Sequence, residues 1–320
     1  MRFQRVMITG GAGFIGSHLA ERLLNQGISV VCLDNFDDYY DPLMKRRNVS
    51  VALQDQNYKL VEGDIRNKDL LSRVLTQNPV QAIVHLAARP GVRHSLQQAH
   101  LYEEVNVQGT LNMLEIARQY NVPKILFGSS SSVYGNGDSL PFREADRVDS
   151  PQSVYAVTKR AGELLTWAYH RLCGVSVACL RLFTVYGPRQ RPEMAIHKFT
   201  HLIWQGREVP VYGDGSSERD YTYIDDIIDG MMAALETDFD FEIINLGGSQ
   251  PVPLRRMIAL LEKCLSRPAH IKNLNQQPGD MYKTHAHIGK AHELLGYSPK
   301  VPVENGIPLF VQWFQEQQKS

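Results

Sequence analysis

Arg5-Val6-Met7-Ile8-Thr9-Gly10-Gly11-Ala12-Gly13-Phe14-Ile15-Gly16 decides how the rest of the chain is read. Its first five residues have the character of a buried strand. Ser17-His18-Leu19-Ala20-Glu21-Arg22-Leu23-Leu24 then follows the spacing of an amphipathic helix. Gly11, Gly13 and Gly16 fit GxGxxG, and Gly10, Gly13 and Gly16 fit GxxGxxG. Small residues allow a tight turn, and N–H groups at the helix start can approach a pyrophosphate. A glycine pattern alone is weak, but between a strand and a helix it has the context a dinucleotide site requires. Cofactor contacts are expected at Gly10, Gly13, Phe14, Ile15 and Gly16. The next strand, Ile28 to Leu33, ends in Asp34 and Asn35. A carboxylate there accepts from ribose hydroxyls and repels a 2′-phosphate, which selects NAD over NADP.

Strands and helices keep alternating up to residue 182, the pattern of a doubly wound α/β parallel sheet. Tyr58 to Glu62 leads to Asp64 and Ile65. Ala82 to Leu86 leads to Ala87-Ala88-Arg89-Pro90-Gly91, whose small residues let a flat cofactor lie close, with cofactor contacts expected at Leu86, Ala87 and Ala88. Asp64 accepts from an adenine amino group or caps the helix after it. Lys124-Ile125-Leu126-Phe127 is a further strand, so Ser129-Ser130-Ser131-Ser132 sits at its carboxyl end, where such sheets bind ligands. Tyr155-Ala156-Val157-Thr158-Lys159 lies in a helical pattern that puts Tyr155 and Lys159 on one face. An ammonium beside a phenol favours the phenolate. A hydroxyl, an acidified phenol and a lysine together make a proton-transfer device.

After residue 182 the pattern changes to a stiff basic loop, a helix from Ala195 to Gln205, short strands and proline-punctuated helices. The expected division is a cofactor-binding domain at 1–182 and 219–247, with a smaller mixed α/β cap at 183–218 and 248–320. Asn35 to Pro42 is expected to be a solvated loop. The helices Leu101 to Tyr120 and Tyr155 to Leu172 carry more apolar surface than one sheet face needs; helix-on-helix dimerisation or core packing accounts for it.

At 320 residues, 43% hydrophobic and 21% charged, the composition is that of a globular protein. Thirty-four basic residues balance 34 acidic ones, which argues against an extended nucleic-acid surface. Four scattered cysteines without metal spacing suggest a reducing compartment. The chain enters a strand at once, so no signal peptide is expected, nor a membrane span; the expected location is cytoplasmic. His197 and His201 have zincin spacing, but Lys198 stands where the catalytic glutamate would be, and no metal site is expected. His85, inside an apolar strand end, reads as a packed histidine.

Together these residues resemble the extended short-chain dehydrogenase/reductase superfamily, specifically its nucleotide-sugar epimerases. Tyr155-xxx-Lys159 with Ser130 is similar to that superfamily's catalytic trio. Four stretches resemble the UDP-glucuronate 4-epimerases: Asp34 to Asp41, Pro90 to Ser95, Phe183 to Pro188 and Arg191 to Ala195. Glu193 departs from the usual aspartate, and Arg189-Gln190 differs from many members. Gln277, before Pro278-Gly279-Asp280, departs from the arginine of galactose-type enzymes and leaves Arg219 as the main diphosphate-binding arginine.

The resemblance implies a Rossmann-type sheet with a smaller substrate-binding cap, tightly bound NAD, a UDP-sugar substrate and a homodimer built through a helical bundle. It also implies epimerisation at C4 through a 4-keto intermediate, with Tyr155 as base acting directly or through Ser130. Lys159 is then expected to lower the phenol pKa and to hold the nicotinamide ribose. Substrate contacts are expected at Arg93, Ser131, Ser132, Thr184, Arg191, Arg219 and Asp280. Ser131 and Ser132 occupy places where a 4,6-dehydratase has an Asp-Glu pair, and a uronate decarboxylase has glutamate at the position of Ser132. Neutral hydroxyls suit an anionic sugar, because they donate to a carboxylate without repelling it. UDP-glucuronate is therefore the expected substrate. The alternatives are UDP-glucose or UDP-N-acetylglucosamine epimerisation, uronate decarboxylation, and an NAD-binding regulator without activity.

Overall fold

A computed structural model describes residues 3–137, 139–275 and 282–319. The strands are β1 (Arg5–Thr9), β2 (Ser29–Asp34), β3 (Tyr58–Glu62), β4 (Ala82–His85), β5 (Lys124–Ser130), β6 (Ser176–Leu182), β7 (Thr184–Tyr186), β8 (Glu208–Tyr212), β9 (Glu218–Tyr223), β10 (Phe241–Leu246), β11 (Pro251–Pro253) and β12 (His270–Leu274). Seven of them form one parallel sheet in the order β3-β2-β1-β4-β5-β6-β10. Side chains alternate between its two faces. Val6 and Ile8 join a core with helices Phe14–Leu24 and Ile224–Glu236, whereas Met7 joins another with helices Lys68–Gln77 and Gly109–Gln119. Both faces being covered explains why these strands read as unbroken apolar runs.

The strand order reverses at β1. The chain runs outward to β2 and β3, then crosses back to β4 on the other side. Beyond the carboxyl ends of β1 and β4 the connections diverge and leave a cleft. Backbone approach is closest there. Gly10 has φ +70°, and a Cβ on it would lie 2.8 Å from the Ala87 nitrogen. One on Gly16 would lie 2.4 Å from the Gly10 carbonyl oxygen.

The helix Val154–Cys173 starts where Ser153 Oγ accepts from the Ala156 N–H at 3.1 Å, and it ends at the left-handed Gly174. Gly162 brings it close to β5, since a Cβ there would lie 2.2 Å from the Phe127 ring. The helix expected from Leu101 to Tyr120 is interrupted by a π-helical turn at Glu103–Gln108. Asn106 inside that turn accepts from the Arg89 N–H at 2.7 Å. Its amide donates to the Arg89 carbonyl and to Thr158 Oγ1, each at 3.0 Å. Such turns commonly re-aim side chains at functional sites.

The remaining strands make a three-stranded sheet, β11-β9-β7, and a parallel pair, β12-β8. The division expected from sequence put 219–247 with the large sheet. In the structure β10 joins that sheet and the helix Ile224–Glu236 packs in its core, but β9 pairs with β7 and β11. β12, exposed along nearly its whole length and without a clear alternation, is not legible as a strand.

Asp220 fastens the small sheet to its surroundings. Its fully buried carboxylate accepts from the N–H groups of Gly248 at 2.7 Å, Ser249 at 3.0 Å and Ala286 at 2.8 Å. Burial pushes its pKa up to about 6, and the three donors oppose that rise. Asp220→Ala strands these donors, and we expect a loss of about 3 kcal/mol of stability. Urea denaturation checks this; an unchanged midpoint would contradict the anchoring role.

Candidate active site

β5 ends at Ser130, and the turn Ser131–Tyr134 follows. Ser130 Oγ accepts from the Ser132 N–H and donates to Ser132 Oγ, both at 3.1 Å. Tyr155 faces this hydroxyl from the first turn of the neighbouring helix. Burial raises the phenol's pKa; the Arg191 guanidinium, then the Ser130 hydroxyl, oppose the rise. Lys159, one turn on, donates from Nζ to the Gly128 carbonyl at 2.7 Å. It lies 5.2 Å from the Phe127 ring centroid and 5.9 Å from that of Tyr155. Burial, followed by the Arg191 charge, pushes the Lys159 ammonium down to about 8, while Glu163 works the other way. The spacing therefore predicts the shared face correctly, but the cation that eases ionisation of Tyr155 here is Arg191.

Gly10, Gly13, Phe14, Ile15 and Gly16 line the cleft with Asp34, Asn35, Asp64, Ile65, Leu86, Ala87 and Ala88, and Tyr155 and Lys159 close its inner end. Gly13 begins the helix without any side-chain cap, so the first N–H groups of that helix face the cleft without a capping side chain. Asp34 is buried and accepts from the Ala12 N–H at 3.1 Å and the Phe36 N–H at 2.9 Å. Burial raises its pKa, and Lys45, with Nζ 3.9 Å away, counters that first. Asp64 accepts from Arg66 and from Asn35 Nδ2 at 3.0 Å. The cap of the following helix is Asn67, which accepts from the Leu70 N–H at 3.0 Å.

The loop from Asn35 to Pro42 is a wall of the cleft, which corrects the solvated reading. Asp37, Tyr39 and Tyr40 line it, with Lys45 and Arg89. Asp37 pairs with Arg89, and its carbonyl accepts from Lys45 Nζ at 2.9 Å. Asp41 caps the next helix ahead of Pro42, and that cap orients Lys45 inward. An Asp-Pro helix start was visible in sequence; the inward lysine was not.

A second cavity of about 1060 Å³ opens beside the first. Tyr39, Tyr40 and Arg191 line both. Arg191 Nε donates to Glu193 Oε1 at 2.7 Å, and the other Glu193 oxygen and the Tyr40 hydroxyl are buried without a hydrogen-bond partner among the described residues. Arg93 stacks over the Tyr212 ring at 4.5 Å, and Arg219 Nη1 donates to the Tyr282 carbonyl at 3.0 Å; both arginines line this cavity. Ser130, Ser131, Ser132 and Thr184 stand at the strand ends nearby, outside the linings of these two cavities. Asp280 lies outside the described residues. His85 is packed between Thr9 Oγ1 at 2.6 Å and Thr110 Oγ1 at 3.1 Å, as its apolar setting predicts. His197 is buried against the aromatic rings of Phe310, Trp313 and Phe314.

Similarity to known proteins agrees with this arrangement. Residues 6–247 match the family model described as NAD dependent epimerase/dehydratase. An uncharacterized protein of Methanocaldococcus jannaschii is 44% identical, over 99% of this chain and 98% of that one. A UDP-glucuronate 4-epimerase of Thermodesulfobacterium geofontis is 40% identical over 97% of this chain and 96% of its own. The crystal structure of a UDP-glucuronic acid 4-epimerase from Bacillus cereus, in complex with UDP-glucuronic acid and NAD, superposes with a TM-score of 0.93. It is 36% identical, covering 98% of this chain and 99% of that one. A parallel sheet with its cleft at the switch point, an uncapped glycine-rich helix start and a tyrosine–lysine helix face thus have one source: the chain belongs to the NAD dependent epimerase/dehydratase family.

Proposed function

We propose that this chain interconverts UDP-glucuronate and UDP-galacturonate by inverting C4, with NAD in the cleft of the large sheet. What supports the reading is that Tyr155 and Lys159 line a dinucleotide-shaped cleft that shares Tyr39, Tyr40 and Arg191 with an arginine-lined cavity, and that Ser130 ends the strand beside them. The residues present fit NAD. The uncapped helix start suits a pyrophosphate, the buried Asp34 carboxylate suits ribose hydroxyls, and the glycines leave room for close approach. When bound, NAD supplies a hydride acceptor and donor for C4. Everything else falls to the protein. Tyr155, as phenolate, takes the proton of the C4 hydroxyl directly or through Ser130 and later returns it. Lys159, fixed by the Gly128 carbonyl, holds the nicotinamide ribose beside it.

Arg219, Arg191 and Arg93 supply forked donors for the diphosphate and the acidic sugar. Asp280 belongs to the same substrate set. Ser131, Ser132 and Thr184 donate to the sugar carboxylate and keep it out of line with the developing carbonyl, which guards against loss of CO2. In this reading 1–182 and 219–247, less the strand β9 that carries Arg219, serve the cofactor, and 183–218 and 248–320 serve the nucleotide sugar together with β9. The uronate is favoured over a neutral sugar by the serines at the strand end and by the names of the relatives. No described helix is long and apolar enough to cross a membrane. A reducing, cytoplasmic setting goes with the four free cysteines.

The helix of Tyr155 also suggests the partner. Val157, Leu164, Trp167 and Leu172 on it are 50%, 53%, 47% and 78% exposed, too much apolar surface to leave in water. A second copy of this chain packs there, helix on helix. Light scattering is expected to give twice the 36.2 kDa chain mass, and Leu164→Arg to give the single mass; a monomeric parent would end this part of the reading.

The function is tested by proton NMR of the purified protein with UDP-glucuronate and no added NAD. UDP-galacturonate should appear, and Tyr155→Phe should slow it about 1,000-fold while the NAD released on denaturation stays the same. A pentose product would favour decarboxylation, and turnover of UDP-glucose alone a neutral-sugar epimerase. Thr184→Val should raise KM for UDP-glucuronate about tenfold, as expected for one bond to a charged group. Unchanged KM and unchanged CO2 release would remove Thr184 from the carboxylate site.

A further inference from the structure

Behind the proton-transfer residues lies a buried ion pair that the chemistry above does not use. Glu163 stands on the same helix face as Tyr155 and Lys159, one turn beyond the lysine, with its side chain 0% exposed. Its Oε1 accepts from Ser129 Oγ at 2.6 Å and from Arg181 Nε at 2.8 Å. Its Oε2 accepts from Arg181 Nη2 at 2.9 Å and from Arg160 Nη1 at 3.0 Å. Ser129 and Arg181 are direct register partners on β5 and β6. One carboxylate therefore ties the helix to both strands at the residue immediately before Ser130. Arg181 continues the network, stacking at 4.8 Å over Tyr134, the last residue of the serine turn.

Burying two charges is a poor way to gain stability, because apolar residues of the same volume do as well or better. What a forked arginine–carboxylate pair does supply is direction and register. A slip of the helix along β5 would break the bonds of Glu163 to Ser129 and Arg181; only the one to Arg160 lies within the helix.

We propose that Glu163 and Arg181 are a positioning pair that sets the Tyr155–Lys159 helix face against Ser130. Glu163 also acts on Lys159 through its charge. Burial opposes ionisation of Glu163, but Arg181, then Ser129 and Arg160, hold its carboxyl below the usual range, so it is anionic at neutral pH. The groups facing Lys159 are Tyr155 and Glu163 on its own helix, His85 at the end of β4, the Gly128 carbonyl, and Arg191 from the loop after β7. The groups around Glu163 are Arg160, Ser129, Arg181 and the Cys179 thiol. Of those facing Lys159, Glu163 is the anion that favours its ammonium. Below about pH 8 that ammonium is present; as pH rises through 8 it is lost. Removing the Glu163 charge moves this loss to lower pH.

The proposal rests on the epimerase reading for its kinetic arm only. The NAD-loaded protein, labelled with 15N-lysine, is titrated by NMR, with Lys159 assigned through Lys159→Arg; this arm needs no turnover. In Glu163→Gln the Lys159 midpoint should fall by a tenfold change in proton affinity or more. In the kinetic arm, kcat for UDP-glucuronate should fall about 100-fold with KM little changed. The descending alkaline limb of kcat should move to lower pH with the midpoint. Glu163→Gln with Arg181→Gln should restore the melting temperature but neither kcat nor the midpoint. Should Glu163→Gln fail to fold, Ser129→Ala removes one bond only, and it should lower kcat about tenfold with only a small fall in melting temperature. A Lys159 midpoint and kcat equal to the parent's in Glu163→Gln, or full kcat in Ser129→Ala or in the paired variant, would overturn the proposal. A shifted midpoint in a protein that turns over no UDP-sugar would leave the pair standing and remove the epimerase reading.

Discussion

Lys159 Nζ donates to the carbonyl of Gly128 at 2.7 Å, and much of the site depends on that single contact. A buried ammonium must find acceptors or lose its charge. Here it takes a backbone oxygen of β5, which pins the helix to the strand that ends in Ser130. The pin works because Gly162 has no side chain to hold the helix away from Phe127. Tyr155, one turn earlier, is thereby delivered to the Ser130 hydroxyl. Close packing, a bonded ammonium and the position of a phenol are one constraint seen from three sides.

Charge is distributed around that constraint in a way the local sequence does not reveal. Arg191 belongs to the loop after β7, far along the chain from Tyr155, yet its guanidinium acts on the phenol before any other cation does. It is also held by Glu193, and a residue in that position is common to both cavities. The walls they share are Tyr39 and Tyr40, from a loop fastened by Asp37 to Arg89 and by the Asp41 cap.

Much of this was legible in the residues. The glycine turn after β1, the acid after β2 and the tyrosine–lysine spacing each rest on short-range geometry, which a sequence displays directly. Part of the cleft lining follows those signals, including the small Ala87 and Ala88, whereas Tyr39, Tyr40, Lys45, Arg89 and Arg191 do not. The π-helical turn was not legible, because the contacts that accompany it join Asn106, Arg89 and Thr158 across three separate elements. β9 was misplaced for a similar reason. A strand's own residues say that it is extended, and only its hydrogen-bonded neighbours say which sheet it joins.

By itself, then, the sequence determined the element order, the doubly wound sheet, the glycine turn and acid that line the cleft, and the helix face that carries Tyr155 and Lys159. All of these are set by periods of two or 3.6 residues and by turn chemistry, which act over a few positions. The tertiary structure alone decided which cation faces the phenol, which loop walls the cleft, and that Ser129, Glu163 and Arg181 meet in one buried cluster. Those are meetings between residues distant in the chain, and they depend on how helices and strands settle against each other in close packing.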